Sequence, residues 1–147
     1  MKKILFTLVG LLLGVSALWA APVKGDTSIP VFPRTLTNAR YVYVTSYDGD
    51  QFNPNLLPED RQAISSVQDA LQKSGKFIVV YRPREAEMVL MVQSRPSEDV
   101  LAVYDARGWL RNGIYLWRVM AANGLQPGET PLVTDFLKAF AKAAASK

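Results

Sequence analysis

The chain contains neither cysteine nor histidine. Without cysteine there are no disulfides, although an oxidising compartment would permit them, and no lipid-bearing N-terminal residue of the kind that ends a lipoprotein signal. Without histidine as well, Ser–His–Asp and Cys–His mechanisms are excluded, together with zinc sites built on imidazole or thiolate. The glycine patterns of Rossmann and P-loop nucleotide sites are also missing. What remains is carboxylate, hydroxyl, lysine and arginine chemistry, and stability must come from an ordinary apolar core.

What is present begins with a tripartite N-terminus. Lys2 and Lys3 give a positive start, and Ile4 to Trp19 is an uncharged, mostly apolar run. Ala17, Ala20 and Ala21 supply small residues for cleavage, so residues 1–21 are expected to be a secretory signal peptide. An uncleaved membrane anchor is the alternative, but the run is short of the ~20 apolar residues a spanning helix needs. The expected location is periplasmic or secreted, with no stable membrane insertion after cleavage. Residues 22–38, with Pro22, Pro30 and Pro33, are expected to form a tether whose apolar stretch Ile29 to Phe32 can lie against the domain. Residues 39–147 are expected to form a single α/β domain. A processed chain of about 125 residues buries roughly two thirds of its unfolded surface, enough for one domain.

Charge argues against nucleic acid. The net charge of +4 falls to about +2 once Lys2 and Lys3 are removed. Six arginines lie between Arg82 and Arg118, but Glu85, Glu87, Glu98, Asp99 and Asp105 are interleaved with them. Such a mixture is a solvated surface, not a nucleic-acid footprint.

Tyr41 to Thr45 is β-branched and aromatic, which predicts a strand. A loop follows over residues 46–57. Pro58 with Glu59 and Asp60 predicts a helix start, Ile64, Val67 and Leu71 share its apolar face, and Lys73 with Gly75 closes it. Phe77 to Tyr81 and Ala86 to Val92 predict two interior strands. Four residues separate them, too few for a parallel crossover, so they are expected to pair antiparallel. The unit from Tyr41 through the helix to Tyr81 is expected to be parallel. Val100 to Asp105 and Ile114 to Met120 predict two more strands, joined through Gly108 and the turn pair Asn112–Gly113. Thr130 is the expected cap of a last helix that Pro131 opens, with Leu132, Val133, Phe136, Leu137 and Phe140 as its apolar stripe. Val79, Val80, Val89 and Leu90 are expected to face the helices. The predicted class is α+β, a mixed five-stranded sheet with two helices on one face, in the order β-α-β-β-β-β-α.

Candidate chemistry is sparse. Asp48, Asp50, Asn53 and Asn55 are oxygen donors in one loop, but Phe52 and Pro54 break a calcium-loop pattern, and the segment suits turns. Glu59–Asp60 and Glu98–Asp99 are adjacent carboxylates, and sequence neighbours seldom converge on one bond. Ser65 and Ser66 with Lys73 imitate a Ser–Lys dyad, though mid-helix. No cofactor is implied.

The aromatic residues carry the most informative pattern. Tyr41 and Tyr43 share one side of their strand, and Tyr115 and Trp117 share one side of theirs, with Tyr104 and Trp109 near in sequence. Tyr43, Tyr115 and Trp117 are therefore the candidate partner-binding residues, with Arg107, Arg111 or Arg118 at the margin. The opposing expectation is that these rings pack inside the fold.

The order of elements, the segments Glu85-Ala86-Glu87-Met88-Val89-Leu90-Met91-Val92, Leu101-Ala102-Val103-Tyr104-Asp105 and Leu116-Trp117-Arg118, and Pro131-Leu132-Val133 together carry a resemblance. The chain resembles exported bacterial envelope α/β domains of the lipoprotein-like families of unknown function. Its topology is similar to the amino-terminal domain of the Tol translocation protein. The resemblance spans roughly Ala39 to Phe140, and the lipid-bearing cysteine of many such proteins is missing here. The leading expectation is a non-catalytic periplasmic or secreted domain that binds another envelope component, an envelope protein or a glycan. A carboxylate-dependent hydrolase and a self-associating structural subunit are the rival readings.

Overall fold

The computed structural model describes residues 28–111 and 113–146. The expected signal peptide, the first part of the tether and Asn112 of the expected turn lie outside the described residues. The elements are β1 (Tyr41–Ser46), α1 (Pro58–Ser74), β2 (Ile78–Val80), β3 (Met88–Ser94), β4 (Asp99–Asp105), a one-turn α2 (Ala106–Trp109), β5 (Trp117–Ala121) and α3 (Pro131–Ala145). They build an α+β fold around one mixed sheet in the order β2-β1-β3-β4-β5.

Both long helices begin where a proline fits the first turn, because its missing N–H would have had no helical partner there. α1 ends at Gly75, whose φ of 67° is the left-handed conformation that glycine adopts without a Cβ penalty. Thr130 does occupy the N-cap position of α3, but its side chain makes no capping bond. Its ψ of 72° departs from the extended backbone that aims an N-cap hydroxyl at the next amides. The carbonyl of Thr130 instead accepts from the N–H groups of Val133 and Thr134.

The β1–α1–β2 unit is parallel as expected. The antiparallel pairing expected between the next two strands is replaced by a different arrangement: β3 pairs parallel with β1, on the side opposite β2. The crossover rule assumes strands of ordinary length. β2 has only three residues, about 10 Å, so seven linking residues suffice to return past the start of β1. That link is pinned there, since Glu87 N–H donates to the Tyr41 carbonyl at 2.9 Å. The Glu87 carboxylate in turn accepts the Arg40 and Tyr41 amides at 2.7 and 3.2 Å. These two amide bonds hold the Glu87 carboxyl below its ordinary range. β2 is consequently an edge strand, with Ile78 half exposed, and not an interior one. β3–β4 and β4–β5 are antiparallel.

α1 and α3 pack on one face of the sheet. Val42, Val44, Met88, Leu90, Val92, Leu101, Val103 and Trp117 point at Ile64, Val67, Leu71, Leu132, Val133 and Phe136. Val79 joins this side, whereas Val80 and Val89 point to the other face. The expectation that all four valines and leucines would meet the helices ignored the twofold period of a strand. Phe140 is packed against the core and half-buried. Within the segment expected as a tether, Phe32 and Leu36 are core residues. Phe32 closes an aromatic cluster, with its ring centroid 5.9 Å from Trp117, 5.7 Å from Phe136 and 5.5 Å from Phe140. No helix among the described residues is long and apolar enough to cross a membrane.

Candidate functional site

The face of the sheet opposite α1 and α3 gathers a second set of aromatic side chains. Tyr43 from β1, Val89 and Met91 from β3, and Ala102 and Tyr104 from β4 form a second, smaller buried cluster, against which Trp109 of α2 packs. Small Ala102 at the centre lets the larger side chains around it meet. α2 exists because the Asp105 carboxylate caps it, accepting the Arg107 and Gly108 amides at 2.9 and 3.1 Å. That single turn brings Trp109 to 6.0 Å from the Tyr43 ring. Tyr115 meets Tyr104 edge-on at 6.5 Å. The Arg118 guanidinium lies 5.8 Å from the centre of the Tyr115 ring, a cation–π distance.

The three residues expected to share one side are separated by the fold. Trp117 is a core residue on the helix side, packed on Phe32 and Phe136, with its indole N–H donating to the Pro30 carbonyl at 2.8 Å. Tyr43 lies on the opposite face and is itself almost fully buried. Only Tyr115, about half exposed, is available to a partner. The reason is that β5 starts at Trp117 and not at Ile114, so Tyr115 stands outside the strand alternation that Trp117 obeys. The Leu116 amide donates to the Val103 carbonyl at 2.8 Å, and Trp117 is registered against the same Val103. Two residues thus oppose one, the geometry of a β-bulge, which re-aims side chains at a strand end. Arg118 and Tyr47 are the members that sequence reasoning left out of the candidate set. Arg118 was legible only as a margin residue, and Tyr47, half exposed and bonded to the Tyr104 phenol, carried no signal.

The two buried phenols have perturbed acidities. Burial, and then the bond from its hydroxyl to Asp50 at 3.0 Å, pushes Tyr43 up to about 12. Burial, followed by the bond with Tyr47, pushes Tyr104 higher still. A phenol whose folded pKa is raised contributes stability fully present below the unfolded value near 10, and loses it as pH rises through the folded value. The melting temperature is therefore expected to fall between about pH 10 and 12. Tyr43→Phe, followed by circular dichroism across that range, should make the fall shallower. An equally steep fall in the variant would remove Tyr43 as a cause.

A polar network sits at the other end of β1 and β3. Asp60 and Asp99, both buried, converge on Ser94, whose amide donates to Asp60 at 2.9 Å and whose hydroxyl donates to Asp99 at 2.7 Å. Arg95 reaches both Asp60 oxygens at 3.0 Å and Asp48 at 2.9 Å. The second Asp99 oxygen accepts the Leu125 amide at 2.9 Å. The members of the two acidic dipeptides thus part company: Asp60 and Asp99 meet inside, while Glu59 and Glu98 stay on the surface. Every oxygen of the buried pair is engaged, so the network ties α1, β3, β4 and the 123–125 turn together. Asp48 and Asp50, expected as loop oxygens, spend their carboxylates on Arg95 and Tyr43. Ser65, Ser66 and Lys73 line an open groove of about 470 Å³ between α1 and α3, with no hydrogen bond between a serine hydroxyl and Lys73.

Comparison of the chain with protein-family models, curated proteins and solved structures returned no match in any of the three.

Proposed function

We propose that the chain is a non-catalytic domain of the bacterial envelope, periplasmic or secreted, that binds another envelope component through the sheet face opposite α1 and α3. One observation carries the reading. The Arg118 Nε is buried and has no hydrogen-bond partner among the described residues, while its guanidinium rests on the half-exposed Tyr115 ring. Leaving a buried donor unsatisfied costs about 1–3 kcal/mol, a cost that is recovered if docking turns the guanidinium toward a partner's acceptor. Arginine and tyrosine are also the residue types in which binding energy concentrates. Half-exposed Tyr47 and Met120, with Trp109, widen the apolar area around them. The tripartite N-terminus and the resemblance to exported envelope domains support the location.

The test is photo-crosslinking in the producing cell from a reactive amino acid at position 115, with a control at exposed Lys73, followed by mass spectrometry. A discrete crosslinked partner is expected from position 115 alone, reduced about tenfold by Arg118→Ala. Equal yields from both positions would reject the face. A product containing two copies of this chain would move the reading to self-association.

A further inference from the structure

We propose that a second surface, the groove between residues 28–34 and α3, docks the domain on an anionic phospholipid surface. The groove, about 570 Å³, has an apolar floor and wall from Ile29, Pro30, Val31 and Phe32 and a rim of Arg34, Lys138 and Lys142. Among the described residues no acidic side chain lines it. None of the three cations forms an ion pair among the described residues. Lys138 and Lys142 stand one helical turn apart and therefore share one face of α3.

Between these charges Val31 is 92% exposed, the most exposed large apolar side chain of those described. It is held out by its neighbours. The Pro30 carbonyl is fixed by the Trp117 indole, and Phe32 is 2% exposed within the aromatic cluster. With both flanking residues anchored, alternation of the extended chain turns Val31 outward. An apolar side chain presented rigidly among unpaired cations matches a bilayer boundary, where the apolar part enters the headgroup layer and the cations meet phosphate. An acidic protein would satisfy the cations without requiring the protruding valine. Docking here is peripheral and needs no spanning helix. It does not depend on the aromatic face, which the crosslinking from position 115 tests separately.

The absence of cysteine makes the test direct. Val31→Cys in the exported, processed protein takes a polarity-sensitive dye at one position only. Vesicles of phosphatidylglycerol with phosphatidylcholine are expected to shift the emission to the blue, whereas phosphatidylcholine alone and inorganic phosphate leave it unchanged. Raising the ionic strength should reverse the shift, since screening shortens from about 10 Å at 0.1 M salt to about 3 Å at 1 M. Removing all three charges (Arg34→Ser, Lys138→Ser, Lys142→Ser) should weaken vesicle binding about a hundredfold, about fivefold per cation. If the triple variant fails to melt like the parent, the exposed Lys138→Ser and Lys142→Ser changes made singly should still each show the fivefold loss. An equal shift on neutral vesicles, a shift with phosphate alone, or anionic binding indifferent to the charge removals would overturn the proposal.

Discussion

Trp117→Ala is expected to destabilise the protein by about 3–5 kcal/mol, the range for deleting a large aromatic from a packed core. The side chain is 2% exposed and touches Phe32 and Phe136, so its removal opens a cavity at the centre of the helix-side core. It also strands the Pro30 carbonyl, the anchor of the N-terminal segment. Urea denaturation should show the loss, with the midpoint lowered and the slope retained. Trp117→Phe keeps most of the ring volume but not the N–H, and is expected to cost less than the alanine change. A Trp117→Ala protein as stable as the parent would mean that the ring does not belong to the core.

Arg95→Met is expected to cost about 3–5 kcal/mol, because it breaks a largely buried ion pair from one side only. The Asp60 side chain is 1% exposed and would keep just the Ser94 amide as a donor. The other partner of Arg95 behaves differently. Asp48, with its side chain 55% exposed, is hydrated without help, so Asp48→Asn should change stability by only about 0.5 kcal/mol or less. Adding Asp60→Leu to Arg95→Met should recover much of the loss, since no buried charge is then left unpaired. Thermal melts of the three variants decide the point. A double variant no better than Arg95→Met would show that the network holds the fold by more than charge pairing.

The helices and most strands were legible because their signals are local. Pro58, the acidic first turn, the Ile64–Val67–Leu71 stripe and Gly75 all lie within or directly beside the one helix they specify. The partners of the strands were not legible where the decision was long-range. The link after β2 was read as a hairpin from its length, yet β2 has only three residues, and Glu87 ties the link to Arg40 and Tyr41, more than forty residues away. The core role of Phe32 was hidden in the same way, because its ring partners lie about a hundred residues downstream.

The candidate site divides along the same line. Sequence alone determined which chemistries the chain lacks and the class of the fold, since residue types and periodicity follow from the chain itself. Only the tertiary structure decided which way each ring points. The one extra residue of the bulge at the start of β5 puts Trp117 in the core and leaves Tyr115 outside, because it breaks the alternation that would have put both on one side. The same holds for charge: Asp60 is buried and Glu59 exposed although they are adjacent, as helix neighbours point about 100° apart and only the packed sheet determines which direction is inside.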